Sequence, residues 1–364
     1  MRRAVLFIAF LLLLSTPALA AELDPEQYEA YGAGEVDEAI PDSASEVLGG
    51  AGVDDALDTE GMFSRLWDAA LDKLGEHFGS AAASAVKLVA IAALCSLAGT
   101  FGTQATQQYV NLAGCLAVAA VAFTDAGAWI QQGAAAIEDL NTFSRALLPC
   151  LTATAAAGGM AGSAAAKYAA TSLFMDVLIT LSRSLLVPMA YALLAVKTAA
   201  AALENAALDS AGKLIKWAAV TVTTLVMTAF TLWLTLSGSI SGAADALTAK
   251  AAKSAISAAL PVVGGIISDA ATTLVAGAGL LRSAVGVLGA AVVIAVCITP
   301  FLGLALRYLL YKAAAALSSA FAGGRLAGLI ADVGTVFGLV LGVTGACAAM
   351  LFVSILSFVK AVAP

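Results

Sequence analysis

Charge is what this 364-residue chain has least of: Asp, Glu, Lys and Arg make up 12% of it, against 61% hydrophobic residues, and the mean hydropathy is +0.95. Soluble chains carry about 25% charged residues, so too little polar surface is available to cover a soluble domain, and that class is excluded. Histidine is nearly absent. The lone His77 cannot build an HExxH zinc site, a Ser-His pair within the membrane or a multi-histidine ligand set, and its plain reading is an interfacial residue. Cysteine is scarce in the sense that matters: Cys95, Cys115, Cys150, Cys297 and Cys347 form no CxxC pair and lie in or beside apolar stretches, so neither a disulfide framework nor a metal site follows. The chain has no Gly-x-Ser, no Gly-x-Gly-Asp and no Gly-Lys-Ser/Thr phosphate loop, which removes the intramembrane proteases and a self-contained nucleotidase. Enzyme is the least supported class. No catalytic residue, cofactor or metal is assigned. Strand-type alternation is missing too, which excludes a membrane barrel.

What the chain has in abundance is apolar sequence in runs of about 20 residues, the length needed to cross a hydrocarbon core of about 30 Å. Backbone polar groups in lipid must be satisfied within their own segment, so these runs are helices. They fall at about 81–101, 110–130, 146–166, 171–196, 217–237, 260–281, 284–306 and 330–358. Pro149, Pro188, Pro261 and Pro300, with Gly158-Gly159, interrupt several of them. The expected fold is therefore all-α, a polytopic transmembrane helix bundle of about 6–8 spans.

The net charge of −7 is unevenly spread. From Glu22 to Glu76 the balance is −14, and from His77 onward it is +5. This argues against nucleic acid as a partner. Residues 1–20 read as a signal peptide: Arg2-Arg3, an apolar run from Ala4 to Leu14, then Ala18-Leu19-Ala20. Residues 21–58 read as an acidic, flexible, exported arm, rich in Asp, Glu, Gly and Ser. Residues 59–79 read as an amphipathic interfacial helix, or simply the lead-in to the first span, with Met62, Leu66, Leu74 and Phe78 at helical spacing beside Phe63, Trp67 and Leu71. The transmembrane helical domain is 80–364.

Charges at membrane depth mark a pathway or a packing partner. Asp176 and Arg183, seven residues apart, lie two turns along one helical face, too far to pair with each other. They line a polar path, or each pairs with a neighbouring helix. Asp125 and Asp332 are read as solvated residues or caps near helix ends. Pro261-Val262-Val263-Gly264-Gly265 with Asp269 reads as a broken helix at depth, tolerated where protein or water covers it. Gly334, Gly338, Gly342 and Ala346 form a small-residue ridge. Such a ridge serves packing within one chain or self-association into a homo-oligomer, and both stay open.

The run Ala-Lys-Ser-Ala-Ile before Pro261–Ala270, then Ala284–Gly289, Cys297–Pro300 and Tyr311–Ala315, resembles the stage III sporulation protein AE family over essentially the whole chain, most specifically from Ile240 to Phe358. That resemblance implies an integral membrane subunit of a channel-like secretion complex linking mother cell and forespore, in the mother-cell membrane around the forespore. The partners it implies are an ATPase, ring-forming membrane proteins and a forespore-side counterpart, with the lipid bilayer around them. It implies no catalytic residue. The residues themselves leave two other readings open, a small-solute permease acting alone and a purely structural platform for ring-forming partners.

Overall fold

The computed structural model describes residues 25–101, 103–259, 264–322 and 324–359, with the side chains of 104, 105 and 237–276 outside that description. The residues read as a signal peptide, and Pro261, lie outside the described residues. Among the described residues there is no strand.

Three short helices come first: α1 (Pro25–Ala30), α2 (Ala33–Glu38) and α3 (Asp42–Leu48), followed by a 3-10 turn at Asp54–Leu57. Composition alone reads this segment as a flexible arm, and the structure corrects that. Ala33, Val36, Ala44, Leu48, Val53 and Ala56 are fully buried in the same core as the bundle. Tyr28 donates to Asp37, and the Asp37 carboxylate accepts from Val53 N at 2.9 Å. Arg65 donates to Leu48 O at 2.7 Å. Burial, then the hydrogen-bonded Asp37 carboxylate, push the Tyr28 phenol above its ordinary range. Small residues at helical spacing suffice to dock short helices where an apolar wall already exists, because the wall supplies the burial that the segment lacks.

Six long rods follow among the described residues. α4 (Thr59–Thr100) and α5 (Gln104–Ala155) have 42 and 52 residues, so they reach about 63 and 78 Å. The 59–79 segment is the first half of α4 and continues without a break into the first apolar stretch. Asp58 caps α4 by accepting from Gly61 N at 3.0 Å. Pro149 sits inside α5 and Pro300 inside α9 without ending either helix, because the bundle holds each helix after one backbone bond is lost.

The chain reverses at Ala156–Met160, where Gly159 has φ +84°, a conformation that glycine adopts cheaply. The apolar stretch 146–166 is thus a turn between rods and not a crossing. α6 (Ala161–Leu181) and α7 (Val187–Leu203) form one rod joined by a widened turn at Ser182–Leu186, with Pro188 in the first turn of α7. α8 (Ala206–Ala259), α9 (Gly264–Ser319) and α10 (Gly324–Val359) complete the bundle. Among the described residues five segments are long and apolar enough to cross a membrane. One of them, 106–203, is folded back on itself at Gly159, which makes six rods.

Rods consecutive in the chain run antiparallel. Tyr191 donates to Gly127 O at 3.4 Å across α7 and α5, Phe174 stacks on Phe230 at 5.7 Å across α6 and α8, and Lys312 donates to Ala331 O at 2.8 Å across α9 and α10. The rod ends at Phe101, at 204–205 and at 320–322 share one end, where Arg325 pairs with Glu204 and Ser96 donates to Phe321 O. The Gly159 turn lies at the opposite end.

Candidate functional site

On α5, Glu138 and Arg145 are seven residues apart, as are Asp176 and Arg183 on the α6–α7 rod, with the acid first in both helices. The antiparallel hairpin crosses the two sets. Arg183 pairs with Glu138, and Arg145 pairs with Asp176 at 3.5 Å. Together with Asn141, Thr142, Ile179 and Thr180 they line a groove of about 380 Å³. Neither ion pair is buried, with Arg145, Asp176 and Arg183 side chains 70, 61 and 62% exposed.

Their depth gives that exposure its weight. The ring contact of Phe174 with Phe230 sets α6 against the part of α8 between Trp217 and Trp233. These two indoles are more than half exposed and stand about 24 Å apart along the helix, as interfacial anchors do. Counted antiparallel from that contact, Asp176 and Arg183 fall level with the α8 segment between the two tryptophans. The groove is therefore a strip of exposed charge at the level of an apolar belt. In lipid such groups are costly, so they meet water or protein.

The sequence reading left Asp176 and Arg183 either lining a polar path or each paired with a neighbouring helix; the structure gives each a partner on α5 along one groove. Glu138 and Arg145 were missed because 131–145 reads as a loop between apolar stretches. The signal was the repeated acid-then-base spacing of seven. Beside the groove, Ser43 donates to Asp139 at 3.1 Å, so α3 flanks its α5 side.

A second charged cluster lies deeper. Asp125 accepts from Arg307 Nε at 2.8 Å and from the Tyr311 hydroxyl at 2.7 Å. The Arg307 guanidinium also donates to Ser80 and lies 4.1 Å from the Trp129 ring centroid. His77 meets the same indole edge-on at 5.1 Å and is buried, not interfacial as expected. Asp125 is likewise no solvated end residue, since only 12% of its side chain is exposed. Asp332 pairs with the buried Lys197 at 3.2 Å, and Lys197 also holds Asp209 at 2.5 Å. In both cases a basic residue more than 100 positions away overturns the reading.

The remaining sequence candidates are not brought to the groove. Gly264, Gly265 and Asp269 lie in the first two turns of α9, with side chains outside the described residues. Gly334 and Gly338 face Tyr311 and Tyr308 of α9, Gly342 has open space beside it, and Ala346 borders a second groove with Thr224, Thr228 and Thr231 of α8. The hydroxyls of those threonines donate to carbonyls of their own helix. Arg282 is 2% exposed, and its Nε and Nη1 lack a hydrogen-bond partner. Among the described residues no group of three His, Cys, Asp or Glu could hold a metal.

The family model for Stage III sporulation protein AE matches residues 54–361. A protein of that name from Bacillus subtilis (strain 168) is 26% identical over 189 residues, covering 52% of this chain and 47% of the relative. The chain thus spans about half the length of the curated relative it matches. No solved structure matches. With the match running from the 3-10 turn before α4 to the C-terminal end of α10, the chain belongs to the stage III sporulation protein AE family.

Proposed function

We propose that this membrane protein of a sporulation family is a subunit of a channel-like secretion complex joining mother cell and forespore, lodged in the mother-cell membrane around the forespore. The observation that carries the reading is the α5–α6 groove, with charged side chains exposed at the level of an apolar belt. A lipid-surrounded protein acting purely by packing has no use for such a strip, whereas a subunit that touches water or a polar partner at depth does. The end bearing α1 to α3 would face the space between the two membranes. The opposite end, with Lys213, Lys216 and Arg325 toward the tips, would face the cytoplasm by the bias of basic residues to that side. An ATPase, ring-forming proteins and a forespore-side counterpart are the partners that the family reading implies.

A structural platform is the second reading, favoured by the close packing of Gly334 and Gly338 on the α9 tyrosines. A permease acting alone is a third. Asp176→Asn, Arg183→Gln and Asp269→Asn, made separately, test the choice by reading complex assembly and small-solute passage in sporulating cells. Passage lost with assembly intact for the groove variants supports the conduit. Loss of both together supports the platform, and a groove variant without effect on either removes the groove from the function.

A further inference from the structure

The groove charges have an arrangement that their internal pairing does not require. At one level α5 carries an anion, Glu138, and α6–α7 a cation, Arg183; at the next level α5 carries a cation, Arg145, and α6 an anion, Asp176. Opposite signs stand side by side at both levels, and the order inverts between them. We propose that this groove is a self-association face on which a second copy of the same chain docks about a two-fold axis parallel to the rods.

A rotation about that axis keeps each level and exchanges the helices, so α5 of one copy comes opposite α6–α7 of the other. Glu138 then meets Arg183 of the second copy, Arg183 meets its Glu138, and Arg145 and Asp176 meet likewise. Every facing pair is of opposite sign, which a two-fold interface demands because each patch must complement itself. A two-fold axis lying in the membrane plane would also match charges, but it needs copies inserted in opposite directions. The three uncharged polar side chains Asn141, Thr142 and Thr180 line the same groove and give the contact hydrogen-bonding capacity without another charge. Docking removes the exposed ion pairs from lipid and closes them into four-membered networks, the arrangement in which charges at depth are tolerated. The inference rests on the groove being a working face of the protein and names what covers it.

The test uses the full chain carrying two different tags, co-expressed in membranes without other sporulation proteins. Cysteine at Thr142→Cys in one tagged copy and Thr180→Cys in the other are expected to give a cross-linked mixed dimer under mild oxidation, above the background of the parent chain, whose buried Cys115, Cys150, Cys297 and Cys347 are shielded. Glu138→Lys alone and Arg183→Glu alone are each expected to lower capture of the like-tagged copy by about tenfold, since like charges then face each other. Mixing the Glu138→Lys copy with the Arg183→Glu copy restores every facing pair between chains, while each chain keeps its internal mismatch, so capture returns to near the parent level. That rescue also shows both variants to be folded. Absence of the Thr142→Cys/Thr180→Cys dimer overturns the proposal, as does undiminished self-capture of both single variants. Neither result touches the role in the sporulation complex, because no partner of that complex is present in the assay.

Discussion

Asp125 and Arg307 are 182 positions apart and meet at 2.8 Å with 12 and 5% of their side chains exposed. An ion pair this enclosed contributes little beyond an apolar pair of the same volume, yet removing one member strands the other charge. Asp125→Asn is therefore expected to destabilise the protein by about 3 kcal/mol or more, seen as a lowered midpoint of thermal unfolding followed by helical circular dichroism in detergent. Arg282 is the opposite case, a buried cation whose Nε and Nη1 have no hydrogen-bond partner. Arg282→Met keeps the length of the side chain and removes the unpaired charge, so stability rises by about 1–3 kcal/mol in the same measurement. A fall in the midpoint would show that the guanidinium stabilises the folded protein and is not a stranded charge.

Inside the described rods a left-handed glycine breaks the helix and proline does not. Pro149 and Pro300 lie inside continuous helices, while Gly159 at φ +84° turns the chain. Gly159→Ala forces a β-carbon into that conformation at a cost of about 1–2 kcal/mol, read as a lowered unfolding midpoint, and Gly159→Asn costs less because Asn tolerates it. Gly303 acts through space rather than torsion. A β-carbon there would overlap the Trp129 ring, so Gly303→Ala pushes the indole off Arg307 and His77 and destabilises more than Gly159→Ala in the same assay. Amphipathic spacing in α4 was readable because Met62 and Leu66 do face the core. Its outer stripe of Trp67, Leu71 and Phe78, each about half exposed, was not separable from the inner one by periodicity, since both lie on apolar positions of the same helix.

Across the described residues the alternating rods put Phe101, 204–205 and 320–322 at one end and the Gly159 turn at the other. Cysteine substitutions of the exposed Phe101 and Phe321 should react with a membrane-impermeant thiol reagent from one face, and Ala161→Cys, also exposed, from the other. Labelling of all three from a single face would refute this arrangement. Composition and apolar run length were enough to establish a helical membrane protein, because burial of backbone polar groups in lipid leaves helices as the outcome for such runs. They also marked Asp176 and Arg183, since a charge inside an apolar run is visible wherever it points. Only the tertiary structure decided what those charges meet, that the acidic segment 25–58 is packed rather than loose, and that 146–166 is a turn. Each of these depends on contacts between residues distant in the chain, where the partner's position and not the local pattern sets the free energy.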